Sequence, residues 1–287
     1  MAEYKLISAD SHIVEPPDMY TGRIEPRFRD RAPKMERRKT PSGREYDAWV
    51  LDGMQVGTLG AVMQAGQRFE DPSQIDFLGV WEDVRKGGYD PHAMIKENEE
   101  DGVWGSCLQP SQGLFWYRIP DSELLTEICR VYNDWIADFC KPYPERLKGI
   151  GMLNVDDVNV GRQELERCKK LGLVGAFIPV SPLPDKPYSH PIYDRLWWTA
   201  QDLGLPLLLH IATPRNGVPG NNRLDPALAA ADGLHLSRAA GFHQRLEVAR
   251  RPAAERLLEA QHVRRVHGRR ARRANARQDR RRDDAVG

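Results

Sequence analysis

Three side chains have the types and positions of metal ligands. Asp10 and His12 are separated by one residue, so in an extended segment both side chains point to the same face. His210 ends the apolar run 205–209, where an imidazole is unexpected unless it has a partner. A carboxylate and imidazoles that converge are ligands for a divalent metal such as zinc, manganese or iron. For each residue alone, the alternative is a structural side chain that is hydrogen-bonded at a strand end.

An alternation of strands and helices must position these residues. Amphipathic spacing and capping residues predict helices over 92–101, from about 121 to the prolines at 142 and 144, over 158–171 and over 191–203. Short apolar runs predict strands near 5–9, 103–108, 147–153, 173–180 and 205–211. This alternation indicates βα units and a parallel sheet that is buried on both faces.

A doubly wound sheet and a barrel both fit five such strands. No G-x-G-x-x-G follows the first strand, which weakens a dinucleotide-binding interpretation. In a barrel, chemistry collects at the carboxyl ends of the strands. The first predicted strand runs into Asp10 and His12, and the fifth ends at His210.

Residues 13–90 interrupt this pattern. The segment is irregular, charged and rich in proline, and it is too long for a structureless connection inside a compact domain. We therefore expect a functional insertion with small elements of its own, including an edge strand over 45–51. In the later helix over 191–203, Trp197 and Trp198 are expected to be packing residues.

Composition narrows the class of protein. The 287 residues carry 42 Lys and Arg against 41 Asp and Glu, a balance that argues against a role dominated by nucleic-acid or membrane electrostatics. The four cysteines form no C-x-x-C pair, so neither a disulfide framework nor a zinc knuckle is implied. No secretory signal and no long apolar run is visible. We expect a soluble cytoplasmic protein.

The segment 226–287 differs from the rest of the chain. It contains 15 arginines, no lysine and seven acidic residues, and it offers no strand-like run. We hypothesise that the reading frame shifts near residues 225–240, so that the chain comprises the N-terminal part of a domain (1–225) and an anomalous tail. The alternative, a basic arm that binds nucleic acid, is disfavoured because the tail has almost no aromatic residues and no recognisable nucleic-acid motif.

Several motifs resemble one family. The opening Asp10-Ser11-His12-Ile13-Val14-Glu15-Pro16 resembles that of the amidohydrolase-related family, in its aminocarboxymuconate-semialdehyde decarboxylase-like branch. Three further stretches, within 98–111, 133–149 and 191–210, are similar to the same branch. The resemblance covers residues 4 to about 225.

This resemblance implies a (β/α)8 TIM barrel, incomplete here after its fifth strand, that holds one divalent metal. Zinc is favoured, with manganese or iron as alternatives. Asp10 and His12 become ligands from the first strand, and His210 becomes the ligand from the fifth. The implied reaction is non-oxidative decarboxylation or hydrolysis of a small carboxylic or aromatic acid. The resemblance also suggests a homodimer or a higher oligomer, and the lack of a long apolar run predicts no membrane contact.

The family also uses a histidine after the sixth strand and an aspartate at the eighth, and neither can be placed. The histidine and aspartate candidates all lie in the tail, without a strand before them: His235, His243, His262, His267, Asp232, Asp279, Asp283 and Asp284. An incomplete barrel without catalytic activity therefore stays open as an alternative.

Four other residues are candidates for the site. His190, Arg215 and Asn216 are predicted to bind substrate, Arg215 and Asn216 because they follow the fifth strand where a carboxylate could be held. For His190 the alternative is a helix N-cap or surface turn, and for the other two a plain loop role. Glu15 is predicted to support the site by ordering its loops, or else to be a solvated loop carboxylate.

Overall fold

The computed structural model describes residues 4–65 and 76–215. The strands are β1 (Ile7–His12), β2 (Lys34–Lys39), β3 (Glu45–Leu51), β4 (Met54–Thr58), β5 (Gly105–Gln109), β6 (Leu147–Met152), β7 (Gly175–Ile178) and β8 (Leu207–Leu209). The α-helices are α1 (Met19–Arg23), α2 (Pro91–Glu100), α3 (Gly113–Trp116), α4 (Ser122–Cys140), α5 (Val158–Lys170) and α6 (Asp194–Leu203). Short 3-10 helices cover Pro26–Arg31, Gly60–Gln64, Trp81–Asp83, Lys86–Gly88 and Pro191–Tyr193.

Five strands form one parallel sheet in the order β1-β5-β6-β7-β8. Each strand is joined to its neighbour by a connection that contains a helix, namely α2, α3 with α4, α5 and α6 in turn. Sequential parallel strands joined in this way are the first five units of a (β/α)8 barrel. The predicted fold class, an incomplete α/β barrel, is confirmed.

Aspartates mark where three of these helices begin. The carboxylate of Asp90 accepts hydrogen bonds from the backbone N–H groups of His92 and Ala93 at the start of α2. Asp121 and Asp157 do the same for α4 and α5. Because the first N–H groups of a helix have no partner within it, such caps fix the residue at which each helix starts. These boundaries lie within one residue of the predicted ones.

The apolar face of α4 packs on the sheet, chiefly against β6. The residues that the spacing places on one helical face are all buried: Leu124, Leu125, Ile128, Val131, Tyr132, Trp135, Ile136 and Phe139. Asn133 joins them and binds the backbone of Met152, donating to its carbonyl at 2.9 Å and accepting from its N–H at 2.7 Å. The predicted amphipathic helix is therefore confirmed, and it includes a polar contact to the sheet.

The insertion between β1 and α2 contains a second sheet, in the order β2-β3-β4. The predicted edge strand over 45–51 is wrong in one respect, because β3 is the central strand and pairs antiparallel with both neighbours. Trp49 of β3 is fully buried, with its ring centroid 6.4 Å from that of Tyr20 and 5.8 Å from that of Trp116. This aromatic cluster joins the small sheet to α3.

Two further expectations need correction. The first strand continues through His12, which pairs with Gln109, and does not stop before Asp10. Trp197 packs against Tyr188 and Tyr193 as expected, whereas the side chain of Trp198 is 62% exposed. Among the helices of the described residues, none has both the length and the apolar character that crossing a membrane requires.

Candidate metal centre

Asp10, His12 and His210 come together where β1 and β8 end. One ligand atom of each side chain lies within 4.8 Å of the others, and Asp10 Oδ1 is 3.6 Å from His12 Nε2. Two donors at 2.0–2.2 Å from one tetrahedral ion are about 3.4 Å apart, close to that separation. The imidazoles of His12 and His210 meet edge to face, with ring centroids 5.4 Å apart.

A backbone carbonyl orients the ring of His12. Its Nδ1 is 2.8 Å from the carbonyl oxygen of Pro110, which follows β5. Because a carbonyl oxygen only accepts, Nδ1 must carry the hydrogen in this bond, and a metal-binding imidazole would then use the lone pair of Nε2. Such a partner on the second nitrogen is typical of histidines that bind metals. His12 therefore presents Nε2 towards Asp10.

The ring of His210 is held in the same tautomer. Its Nδ1 lies 2.8 Å from the carbonyl oxygen of Ile211, so that nitrogen again carries the hydrogen and Nε2 is the atom that could bind a metal. The fully buried ring of Phe177 on β7 packs edge-on against the imidazole, with centroids 5.7 Å apart. One hydrogen bond and one ring contact thus restrict how His210 can turn.

Glu15 orders the loop that supports His12. Its carboxylate is fully buried and accepts hydrogen bonds from the backbone N–H groups of Gln112 at 3.0 Å and Gly113 at 2.7 Å. Ser111 completes the link by donating to the carbonyl of Ile13 at 2.6 Å. Burial raises the pKa of Glu15 to about 7, although these backbone hydrogen bonds oppose the rise. The loop-ordering prediction is confirmed, and the solvated alternative is wrong.

The donor set fits a divalent cation. Two imidazole nitrogens and one carboxylate are the protein ligands of many catalytic zinc sites, and they also suit manganese and iron. A cavity of about 650 Å³ lies beside His12, which lines it together with Ser11, Ser111 and Gln112, whereas Asp10 and His210 are not part of its lining. The residues present could therefore hold a metal beside a space of the size that small ligands occupy.

Comparison with known proteins identifies the family of this chain. The family model described as amidohydrolase matches residues 111–266, more than half of the chain. The chain belongs to the amidohydrolase family. The amidohydrolase match begins after the predicted ligands of β1, includes His210 and runs beyond residue 225 into the segment that we describe as anomalous.

Three relatives show what this amidohydrolase chain is similar to. A gamma-resorcylate decarboxylase from Rhizobium radiobacter is 34% identical over 115 residues, which are 37% of this chain and 33% of that protein. An amidohydrolase from Mycobacterium avium subsp. paratuberculosis has a TM-score of 0.55 at 17% identity, over 74% of this chain and 60% of that one. A dihydroxybenzoic acid decarboxylase from Polaromonas, crystallised with manganese and 2-nitroresorcinol, has a TM-score of 0.44 at 20% identity. The match covers 82% of this chain and 55% of that one. The chain spans about a third of the length of the curated relatives it matches.

Two of the predicted substrate residues, His190 and Arg215, form their hydrogen bonds with groups other than the three candidate ligands. His190 is exposed and caps the 3-10 helix Pro191–Tyr193, with its Nδ1 accepting from the N–H of Ile192 at 3.1 Å. Arg215 is buried, and its guanidinium forms a two-point ion pair with Asp156. The carboxylate-binding edge of Arg215 is thus already occupied, so the predicted contact with a substrate carboxylate is not supported.

The remaining candidates lie outside the described residues. Asn216 immediately follows the described part, and all the histidines and aspartates considered for the sixth and eighth strands lie after it. The proposed shift of reading frame near residues 225–240 also lies there. It stays a prediction that the sequence of the transcript tests.

Two features of the site could not be recognised in the sequence. The carbonyl of Pro110 orients His12, but any residue offers a carbonyl, so no residue type signals this role. Asp156 pairs with Arg215 across 59 positions, and its sequence neighbourhood gives no sign of that contact. For Glu15 a signal did exist, because an acidic residue follows the Asp-x-His motif at the end of a strand.

Proposed function

We propose that this chain is a metal-dependent carboxy-lyase that releases CO2 from a small hydroxylated aromatic acid. The observation that carries the proposal is the convergence of Asp10, His12 and His210 at the carboxyl ends of β1 and β8. The residues alone do not separate a lyase from a hydrolase, because both reactions use the same ligands. The decarboxylase activity of the curated relatives favours the lyase.

The ligand residues have defined tasks in this proposal. When bound, a divalent cation would polarise a carboxylate or hydroxyl group of the substrate or activate a bound water. Asp10 supplies the negative charge that holds the cation, and the two Nε2 lone pairs complete the described part of the site. The hydrogen bonds from Nδ1 of His12 and of His210 to carbonyl oxygens keep those lone pairs facing the cation.

The donor set makes zinc the first candidate for the metal, with manganese and iron as alternatives. Two imidazoles and one carboxylate are a ligand set found in catalytic zinc sites, whereas carboxylate-rich sites suit harder cations. The cavity of about 650 Å³ beside His12 has the size of a small-molecule site. We therefore propose a small organic acid as the substrate and not a macromolecule.

The test is a CO2-release assay on the full chain, loaded in parallel with Zn²⁺, Mn²⁺ or Fe²⁺. Gamma-resorcylate is the first substrate, and ester and lactone hydrolysis is measured beside it. We expect CO2 release with at least one metal, and a loss of at least about 100-fold in His12→Ala, since a ligand contributes more than a residue that merely supports one.

The variant His92→Ala is the matched control. His92 is an exposed imidazole on α2 that bonds Tyr143 and is not part of the three-residue ligand cluster, so its loss should leave CO2 release unchanged. Hydrolysis without CO2 release would contradict the lyase assignment. Equal CO2 release by the wild type and His12→Ala would contradict the catalytic site itself.

A further inference from the structure

The five residues after His210, 211–215, connect this candidate ligand to the other loops at this end of the sheet. β8 is a short outer strand whose residues are only half-buried, so packing of the strand does little to fix the residue that follows it. In contrast, Thr213 is fully buried and Arg215 nearly so. The two buried polar side chains of Thr213 and Arg215 thus lie within five residues of the half-buried candidate ligand His210.

Thr213 joins His210 to the end of β7. Its hydroxyl donates to the carbonyl oxygen of His210 at 2.7 Å and accepts from the N–H of Val180 at 2.8 Å. Both the donor and the acceptor capacity of one buried hydroxyl are therefore used. Removing that hydroxyl would leave two partly buried backbone groups without this partner.

Arg215 fixes the far end of the same segment. Its guanidinium pairs with both carboxylate oxygens of Asp156 after β6, and it donates to the carbonyls of Tyr117 at 2.7 Å and of Ile119. Its backbone N–H donates to Ser181 at 2.7 Å. One side chain therefore holds the loops that follow β5, β6 and β8 together, in the fork geometry that arginine provides and lysine does not.

The turn between these contacts is strained. Ala212 has a φ of 70°, a left-handed conformation that residues with a Cβ rarely adopt. Such a conformation persists where the surrounding contacts over-determine it, and it is common beside functional sites. Here it reverses the chain directly after His210, so that Thr213 can reach back to the carbonyl of that residue.

We propose that Thr213 and Arg215 are positioning residues that hold His210 in the orientation required for binding a metal. Neither side chain is assigned a contact with the metal; both act through the backbone of His210 and the turn that follows it. The inference rests on the proposed role of His210 as a ligand. It gives Arg215 a task in the site different from the substrate contact predicted from its position after the strand.

The test compares Thr213→Val with Thr213→Ser in the full chain. Valine has nearly the shape of threonine but lacks the hydroxyl, whereas serine retains it. We expect Thr213→Val to raise the dissociation constant for Mn²⁺ by roughly 10–100-fold, the effect typical of losing a residue that orients a ligand, and Thr213→Ser to stay within about threefold of the wild type. Hydrogen exchange of the Val180 amide, measured without metal, should accelerate in Thr213→Val only.

A second pair of variants keeps the test decisive if Thr213→Val does not fold. Arg215→Lys retains the charge and loses the two-point pairing, and it should weaken Mn²⁺ binding by a similar factor. Arg37→Lys is its control, because Arg37 also pairs with a buried aspartate, Asp47, but in the sheet of the insertion. This control should leave the dissociation constant unchanged.

Two results would overturn the inference. The first is an unchanged Mn²⁺ affinity in folded Thr213→Val and Arg215→Lys while His210→Ala abolishes binding; the metal site would then stand without these positioning residues. The second is a wild type whose Mn²⁺ binding is unaffected by His210→Ala. That result rejects the proposed site and, with it, any role of Thr213 or Arg215 in positioning a ligand.

Discussion

The outer and middle strands of the five-stranded sheet are stabilised in different ways. All four residues of β7 are buried, and so are five of the six in β6. β1 has no fully buried residue, and β8 is half-buried throughout. The candidate ligands all belong to the outer pair. The proposed metal site thus depends on the two strands whose own packing restrains them least.

Directional contacts at the strand ends compensate for this weak packing. The chain that follows β1 turns into the core at once, where Ile13, Val14 and Glu15 are buried. The chain that follows β8 does the same through Thr213 and Arg215. Hydrophobic burial has little directional preference, whereas hydrogen bonds to named carbonyls fix an orientation. Side chains that must point at a common ion are therefore best held by polar loops.

The largest effect is expected when isoleucine is replaced by alanine in a middle strand, and the same replacement in an outer strand completes the comparison. Ile150 of β6 is buried, whereas the side chain of Ile7 in β1 is 53% exposed. Ile150→Ala should lower the free energy of unfolding by about 2–5 kcal/mol, because it removes buried methyl groups and leaves a cavity. Ile7→Ala should change it by no more than about 0.5 kcal/mol. Urea-induced unfolding of both variants measures the difference.

Similar losses in the two variants would contradict the contrast. They would mean that Ile7 is covered by apolar surface in solution. A conservative Ile150→Val variant serves as the control, with an expected loss of about 0.5–1.5 kcal/mol.

The pH dependence of stability tests the role of Glu15, whose buried carboxylate binds the chain that follows β1 to the loop that follows β5. Since burial raises the pKa of Glu15 from 4.5 to about 7, the folded chain binds this proton more tightly than the unfolded chain does. The stabilisation is fully present below pH 4.5 and is lost as the pH rises through about 7. A rise of this size corresponds to about 3 kcal/mol. The free energy of unfolding of the wild type should therefore fall across this window.

Glu15→Gln cannot titrate, so this component of the pH dependence should disappear in that variant. Urea unfolding at several pH values between 4.5 and 8 measures it. Glu145→Gln, which alters an exposed carboxylate in the loop before β6, is the control and should retain the wild-type slope. A wild-type stability that rises with pH through the same range, or an unchanged slope in Glu15→Gln, would contradict the assignment.

Local signals made the helices and the candidate ligands recognisable in the sequence, and the absence of such signals explains which contacts were missed. Periodic apolar residues and capping aspartates act within a few positions, so α2, α4 and α5 could be placed from sequence. The Asp-x-His spacing did the same for Asp10 and His12. The ion pair of Arg215 depends on Asp156, which the fold alone brings near. Trp198 shows that a local signal can also mislead. Periodicity places it close to an apolar helical face but does not reveal that the residue is exposed.

The account depends on one cation that is shared by β1 and β8. Its most direct test is the metal content of the full chain after dialysis against Zn²⁺, measured for the wild type and for the variants His12→Ala, His210→Ala and His92→Ala. We predict near-stoichiometric zinc in the wild type and in His92→Ala, and its loss in the other two. A wild type without zinc that also fails to take up manganese or iron, or full occupancy in His12→Ala, would contradict the account.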